Sequence, residues 1–325
     1  MIPDTWLDEA VERIREHINT TPLTYDPEHD LYLKWENHQV TGSFKARGAL
    51  NKVMSLQPWE QAAGLIAASA GNHGLGVALA GQLVNAPVTV YISENAVLSK
   101  IEAIRALGAE IRLVPGGYGE AEKAALAMVG QNKATWISPY NDGHIIAGQG
   151  TLGLEILDQL KIYPDFQPGE SVWVVPTGGG GITAGIGVAL SRYSPRPRLV
   201  AVQSDTSAFM HRLYHEGTQD GVTEQPTISD GLAGPVEPGS ITIPIIRQYV
   251  DDFILVTEEE TIQAIALAWQ RYGERIEGSA AVTLAAVVYG KLNQRPAILV
   301  LTGGNIQAEV HQKITGIDST VGRES

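Results

Sequence analysis

The chain contains no cysteine, which excludes disulfides, thiolate nucleophiles and cysteine-based metal sites. Positive charge is scarce: 23 Lys and Arg stand against 36 Asp and Glu, a net charge of −13. That balance argues against a nucleic-acid partner, because phosphate backbones demand clustered Lys and Arg. A small anion held by backbone amides stays compatible with it. No apolar run approaches the roughly 18 residues a membrane span needs. The start, Met1-Ile-Pro-Asp-Thr-Trp6, lacks the basic and apolar regions of a secretory signal. A cytoplasmic protein, without membrane or nucleic-acid partners, is expected. Low-complexity linkers, tandem repeats and charged tails are also missing.

What is present is ordinary globular material: 325 residues, 44% hydrophobic and 18% charged. That length suits one large or two medium domains. Short apolar runs alternate with helical patterns. Residues 86–93, 109–114, 172–176, 199–203 and 297–302 read as strands, each rich in Val, Ile or Leu. Near-continuous apolar strands separated by helices predict parallel sheets covered on both faces. The fold class is therefore α/β, and two sheets fit the length better than one. Ser99-Lys-Ile-Glu102 predicts a capping box and a helix to about Leu107, stopped by Gly108. Thr257-Glu-Glu-Glu260 opens another helix, expected to run to about Ile276. The Pro- and Gly-rich stretch from Thr227 to Pro244 reads as an ordered surface loop.

Three segments carry chemistry. Gly178, Gly179, Gly180 and Gly181 lie between a strand and the helical pattern of 182–190. Four glycines there expose N–H groups at a positive helix terminus, which binds phosphate. One glycine would suffice for a plain turn. The dinucleotide fingerprint fails, because Thr183 occupies the sixth position counted from Gly178. A Walker A loop fails too, because Gly290-Lys291 is followed by Leu292. The second segment, Thr41-Gly-Ser-Phe-Lys-Ala-Arg-Gly-Ala49, places Lys45 beside Phe44 and small residues where a helix begins. A lysine desolvated there has a lowered pKa and acts as an amine nucleophile, although most lone lysines are solvated surface groups. The third, Ser69-Ala-Gly-Asn-His-Gly-Leu-Gly76, again opens a helix with small residues and free N–H groups. It suits a carboxylate or a simple strand-to-helix turn.

Together these segments resemble the fold type II, tryptophan-synthase-like, pyridoxal-phosphate enzymes. Residues 42–48 resemble the cofactor-lysine motif, 69–74 the substrate-carboxylate loop, 177–182 the phosphate cup and 301–306 the final strand turn. Tyr140-Asn-Asp142, residues 146–151 and 277–281 fit in order and spacing. The likeness runs from about Thr21 to Ile306. Within the group it is strongest to threonine and serine dehydratases and serine racemases. Sulfhydrylases and threonine synthases usually carry an Asp after the lysine, where this chain has Ala46. No regulatory domain follows Ile306, so no end-product feedback site is expected.

The resemblance implies a fold of two domains, each built on a mainly parallel sheet flanked by helices. Residues 1–50 and 143–325 are expected to form the large cofactor-binding domain, with 51–142 a small domain inserted in it. A homodimer is the family habit. The cofactor is pyridoxal 5′-phosphate, held by Lys45 as a Schiff base. Once displaced by the amino-acid substrate, the Lys45 amine removes the Cα proton. Phe44 packs beside the ring, Asn72 hydrogen-bonds its hydroxyl, and Gly178 to Gly181 hold its phosphate. Ser69, Ala70, Gly71, Asn72 and His73 bind the substrate carboxylate. Thr302 faces the pyridine nitrogen, which a hydroxyl cannot keep protonated as an aspartate would. That favours β-elimination of a hydroxy amino acid, such as L-threonine or L-serine, to a 2-oxo acid and ammonia.

Two departures from the racemases matter. They carry a second serine where this chain has Ala70, so no proton donor stands on the far face of Cα. Their divalent-cation ligands fall near Gln203 and Phe209, so no metal is expected, with Asp205 the nearest carboxylate. Serine racemase and 3-hydroxyaspartate dehydratase remain alternatives, as does a non-catalytic cofactor-binding module. A zinc hydrolase built on His211 and His215 lacks the required Glu, Arg212 standing after His211. A serine hydrolase lacks G-x-S-x-G.

Overall fold

The apolar runs become strands, and the glycines decide how closely the helices lie against one another. The computed structural model describes residues 2, 3 and 5–316. The outer ends of the expected large domain, residue 1 and residues 317–325, lie outside the described residues. Among the described residues ten strands are formed: β1 (Leu23–Asp26), β2 (Leu31–Trp35), β3 (Leu65–Ala68), β4 (Val88–Ser93), β5 (Glu110–Val114), β6 (Thr135–Trp136), β7 (Val172–Pro176), β8 (Arg198–Ser204), β9 (Asp252–Val256) and β10 (Ala297–Leu301). They make a six-stranded sheet in the order β1-β2-β10-β7-β8-β9 and a four-stranded sheet in the order β5-β4-β3-β6. Every pairing is parallel except the antiparallel β1–β2 hairpin. The mixed α/β class with mainly parallel sheets is the observed one.

Helices cover both faces of the larger sheet. Helix Gly278–Val288 packs on one side and helices Gly143–Leu160 and Gly181–Leu190 on the other. Accordingly β2, β7 and β10 are buried at every residue. Strand β5 departs from this expectation. It is an edge strand with Glu110, Arg112 and Leu113 exposed, while Ala109, Ile111 and Val114 keep contact with the neighbouring cores. Among the described residues, no helix is long and apolar enough to cross a membrane.

Two helix limits differ from the sequence reading. The helix Leu98–Ala106 starts before Ser99, with Val97 as N-cap and no side-chain cap bond. The Val97 carbonyl receives the Lys100 and Ile101 amides instead, so the expected capping box does not form. At 257–260 the box is real: the Thr257 hydroxyl accepts from Glu260 N and the Glu260 carboxylate accepts from Thr257 N. That helix ends at Tyr272 rather than Ile276, because Gly273 turns into the left-handed region at φ +69°.

The site helix, Lys45–Ser55, is held by glycine seams and by charge. A Cβ on Gly148 would lie 2.7 Å from the Arg47 carbonyl, and one on Gly76 would lie 3.1 Å from the Lys45 carbonyl. Helices Gly143–Leu160 and Asn72–Val84 therefore touch it backbone to backbone. Arg47, 1% exposed, donates two bonds to Glu36 (2.8 and 2.7 Å) and one to Glu155 (2.9 Å). Lys34, also fully buried, closes the network on Glu155 at 2.5 Å.

Helices Gly143–Leu160 and Gly181–Leu190 cross at Gly150 and Gly185, where a Cβ on Gly185 would meet the Ile146 carbonyl and lie 2.6 Å from Gly150 N. Gly185→Ala should therefore lower stability by about 2–3 kcal/mol, as overpacking against rigid backbone does. Gly130→Ala, in open space on helix Tyr118–Asn132, should be neutral or stabilising by up to about 1 kcal/mol. Urea unfolding midpoints of the two variants check this, and equal midpoints would show that the seam yields.

Candidate active site

The carboxyl ends of β2, β3, β7 and β10 converge on one cavity of about 680 Å³, the place where open α/β sheets bind ligands. Every site residue singled out in the sequence lines it: Phe44 and Lys45, residues 69–73, Gly178 to Gly181, and Thr302. Strand β10 runs between β2 and β7, so the lysine, the glycine turn and Thr302 are neighbours despite their distance in sequence. A bridge between Ser43 and Gly303 ties the lysine segment to the end of β10.

Lys45 is the first residue of its helix. Its Nζ donates to the Pro139 carbonyl at 2.9 Å and lies 5.2 Å from the Phe44 ring centre. Burial brings its ammonium down to about 8, against the opposing pull of Glu277. His73 is fully neutral: burial first, then Lys45, pushes it down to about 3, and its Nε2 pairs with the Ile137 carbonyl.

The helices Asn72–Val84 and Gly181–Leu190 begin at Gly71 and Gly180, neither with a side-chain cap. Their first amides are left to the cavity, and the helix dipoles favour anions there. At the second terminus the glycines are required by space. A Cβ on Gly178 would lie 2.8 Å from the Leu232 Cα, one on Gly179 would strike the Tyr140 ring, and Gly180 holds φ +89°. An amine of lowered pKa and two seats of bare amides, all in one cavity, fit a phosphate-bearing aldehyde cofactor and a substrate carboxylate.

Some functional neighbours were not visible as such in sequence. Asn72 donates its Nδ2 to Glu277 Oε1 at 2.7 Å and accepts at Oδ1 from Asn305 Nδ2, also at 2.7 Å. Its amide orientation is thereby fixed from both sides. Burial, then Asp230, pushes the Glu277 carboxyl up to about 7. The acid heading the stretch 277–281 was the one available clue. The loop Thr227 to Pro244 is more than a surface loop: it includes a turn at Asp230–Leu232, buries Leu232 and Val236, and walls the cavity. Opposite it stand Lys100, paired to Asp230 at 3.1 Å, and Tyr118, whose hydroxyl donates to Glu122 at 2.9 Å.

Residues considered for metal lie elsewhere. His211 and His215 sit on helix Phe209–Glu216 with ring centres 4.4 Å apart and do not line the cavity. Gln203 is buried, its Oε1 accepting from His211 N at 3.1 Å, while Phe209 is buried and Asp205 exposed. Among the described residues, Asp26, Glu28 and His29 form a cluster that could hold an ion. Both its acids already pair with Arg271.

A family model described as pyridoxal-phosphate dependent enzyme matches residues 14–303. The chain is 38% identical over 316 residues to the L-threonine ammonia-lyase of Thermotoga maritima, covering 95% of this chain and 77% of that protein. The structure of threonine deaminase isoform 2 from Solanum lycopersicum superposes with a TM-score of 0.86 at 28% identity, covering 96% of this chain and 92% of the other. Serine racemase from Dictyostelium discoideum gives 0.84 at 31%, with 94% and 99% covered.

The lowered lysine has a kinetic signature. With its ammonium at about 8, roughly a tenth of Lys45 is free amine at pH 7, and that fraction grows up to about tenfold per pH unit before levelling off. Covalent capture of pyridoxal phosphate by the apoprotein, followed by borohydride fixation, should accelerate from pH 6 to 8 and then level. A rate still climbing from pH 9 to 10 would mean an ordinary, solvated lysine.

Proposed function

We propose that this chain, which belongs to the pyridoxal-phosphate dependent enzymes, is an ammonia-lyase that converts L-threonine or L-serine to a 2-oxo acid and ammonia. The observation that carries the reading is the convergence of Lys45, residues 69–73 and the Gly178–Gly181 turn on one cavity. The threonine ammonia-lyase and threonine deaminase relatives support it. When bound, the cofactor supplies an electron sink conjugated to Cα and a phosphate able to donate a proton.

The chain's own residues do the rest. Lys45 would hold the cofactor through Nζ and, as a free amine, take the Cα proton. Ser69 N already donates to the Tyr91 carbonyl and Gly71 N to Ser69 Oγ, so the remaining amides of the 69–73 turn would fix the substrate carboxylate, and so the face of Cα that Lys45 meets. Gly178 to Gly181 would seat the phosphate. Asn72, clamped by Glu277 and Asn305, would present its remaining N–H to the ring hydroxyl. Phe44 would pack on the ring, and Thr302 would leave the ring nitrogen without a charged partner. Loss of the β-hydroxyl as water gives an enamine, whose hydrolysis yields the 2-oxo acid and ammonia. The same reading takes residues 51–142 as the small domain, the cytoplasm as the compartment and a homodimer as the assembly.

The serine racemase likeness sustains a second reading. Racemisation needs a proton donor on each face of Cα, and Ala70 supplies none. L-Threonine and L-serine should release ammonia and 2-oxo acid at least about 10²-fold faster than their D-enantiomers form. Lys45→Ala should abolish both activities and the borohydride-fixed label. Ala70→Ser should raise racemisation relative to elimination. A keto-acid assay beside chiral chromatography measures both, and wild-type D-serine formation as fast as pyruvate formation would make the chain a racemase.

A further inference from the structure

The cavity holds seats for two anions, and its side chains are poor in positive charge. Its cationic lining consists of Lys45 and Lys100. Lys45 is engaged with Pro139 and would be spent on the cofactor. Lys100 is paired with Asp230. Against them stand Glu122, Glu224, Asp230 and Glu277, with no arginine among the described residues of the lining. The two amide seats, at the starts of helices Asn72–Val84 and Gly181–Leu190, are both taken if one receives a carboxylate and the other a phosphate.

The wall formed by helix Tyr118–Asn132 brings Glu122 into this lining. Tyr118 directs its hydroxyl hydrogen to Glu122. Next to that pair lies Glu237, whose Oε2 accepts from Asn141 Nδ2 at 2.7 Å and whose amide donates to the Tyr140 hydroxyl. Burial and the Glu237 carboxylate both hold the Glu122 carboxyl above its usual range. A further negative charge has no partner on this side and meets two acids already in mutual repulsion.

We propose that the Tyr118–Glu122 wall sets the substrate class, admitting amino acids with an uncharged substituent on Cβ and rejecting those with a second carboxylate, 3-hydroxyaspartate above all. The proposal rests on the lyase reading and deepens it. Glu122 acts by its charge, so its neutral isostere relaxes the exclusion.

Two measurements on the holoenzyme test this. The first compares kcat/KM for L-threonine and L-threo-3-hydroxyaspartate by 2-oxo acid formation, in wild type and Glu122→Gln. Wild type should prefer L-threonine by about a hundredfold or more, and the variant should narrow the ratio about tenfold. The second is calorimetric titration with L-alanine and L-aspartate, which carry no β-hydroxyl to lose and differ by the β-carboxylate. L-Alanine should bind at least about tenfold tighter, with the gap shrinking in Glu122→Gln. Wild-type turnover of 3-hydroxyaspartate within tenfold of L-threonine, or a variant with unchanged ratios, overturns the proposal while the lyase reading stands. If no hydroxy amino acid releases ammonia, the lyase reading falls, and the titration still decides whether Glu122 excludes the second carboxylate.

Discussion

The Arg47 guanidinium, buried between Glu36 and Glu155 two residues beyond Lys45, is the interaction on which the site depends. It ties the start of the lysine helix to the end of β2 through Glu36 and to helix Gly143–Leu160 through Glu155. Burying a guanidinium and two carboxylates is expensive, and such a network is no net gain over apolar packing of equal volume. Its return is geometric. Once Arg47 is inside, removing any partner leaves a naked buried charge, so the helix has one low-energy seat. The Gly76 and Gly148 contacts then fix its distance from the two flanking helices. A lysine with four rotatable bonds can be a specific base only if its Cα is immobile, and this network holds that Cα.

The strands and the three motifs were legible because each is a local signal. Buried parallel strands read as apolar runs, and glycine clusters at strand ends mark close backbone approach. Four glycines at 178–181 pointed to an anion seat before any contact was known, and the structure gives the steric reason in Leu232 and Tyr140. What the sequence concealed depends on partners far along the chain. Glu277 meets Asn72 across 205 positions, and no pattern near either residue announces it. The exposure of β5 follows from its place at a sheet edge, which apolar content does not reveal. The cap at Val97 was missed because Ser99 and Glu102 have the right spacing but the backbone enters the helix two residues earlier. The stop at Gly273 shows the converse: helical periodicity continues past a residue whose backbone has already left the helix.

Glu277 also helps to set the state of Lys45. Burial alone drives the lysine toward the free amine and the carboxyl toward the neutral acid. Glu277 resists the first change, and Asn72, Lys100 and the Asn305 backbone resist the second. The result is an amine near 8 and an acid near 7, each close enough to neutrality to exchange protons under working conditions. Ion pairing at full strength would lock the lysine as ammonium and end its use as a base. Deeper burial without Glu277 would lower its basicity too far to abstract a carbon-bound proton. Asn72 draws on the same carboxylate, so the group that tunes the lysine also orients the amide beside it.

A cavity lined by two lysines and four acids would draw the positive potential to hold a phosphate and a carboxylate largely from outside its side chains. The backbone would supply it, through the first amides of helices Asn72–Val84 and Gly181–Leu190, reinforced by helix dipoles. Such seats are short-ranged and directional: they reward an anion at one point and do little for one a few ångströms away. A guanidinium would attract negative charge across the whole cavity, and the acidic wall around Glu122 could not then discriminate. Binding anions by amides and lining the remainder with carboxylates are therefore one arrangement. It makes the positions at which negative charge is tolerated as few as the chemistry requires.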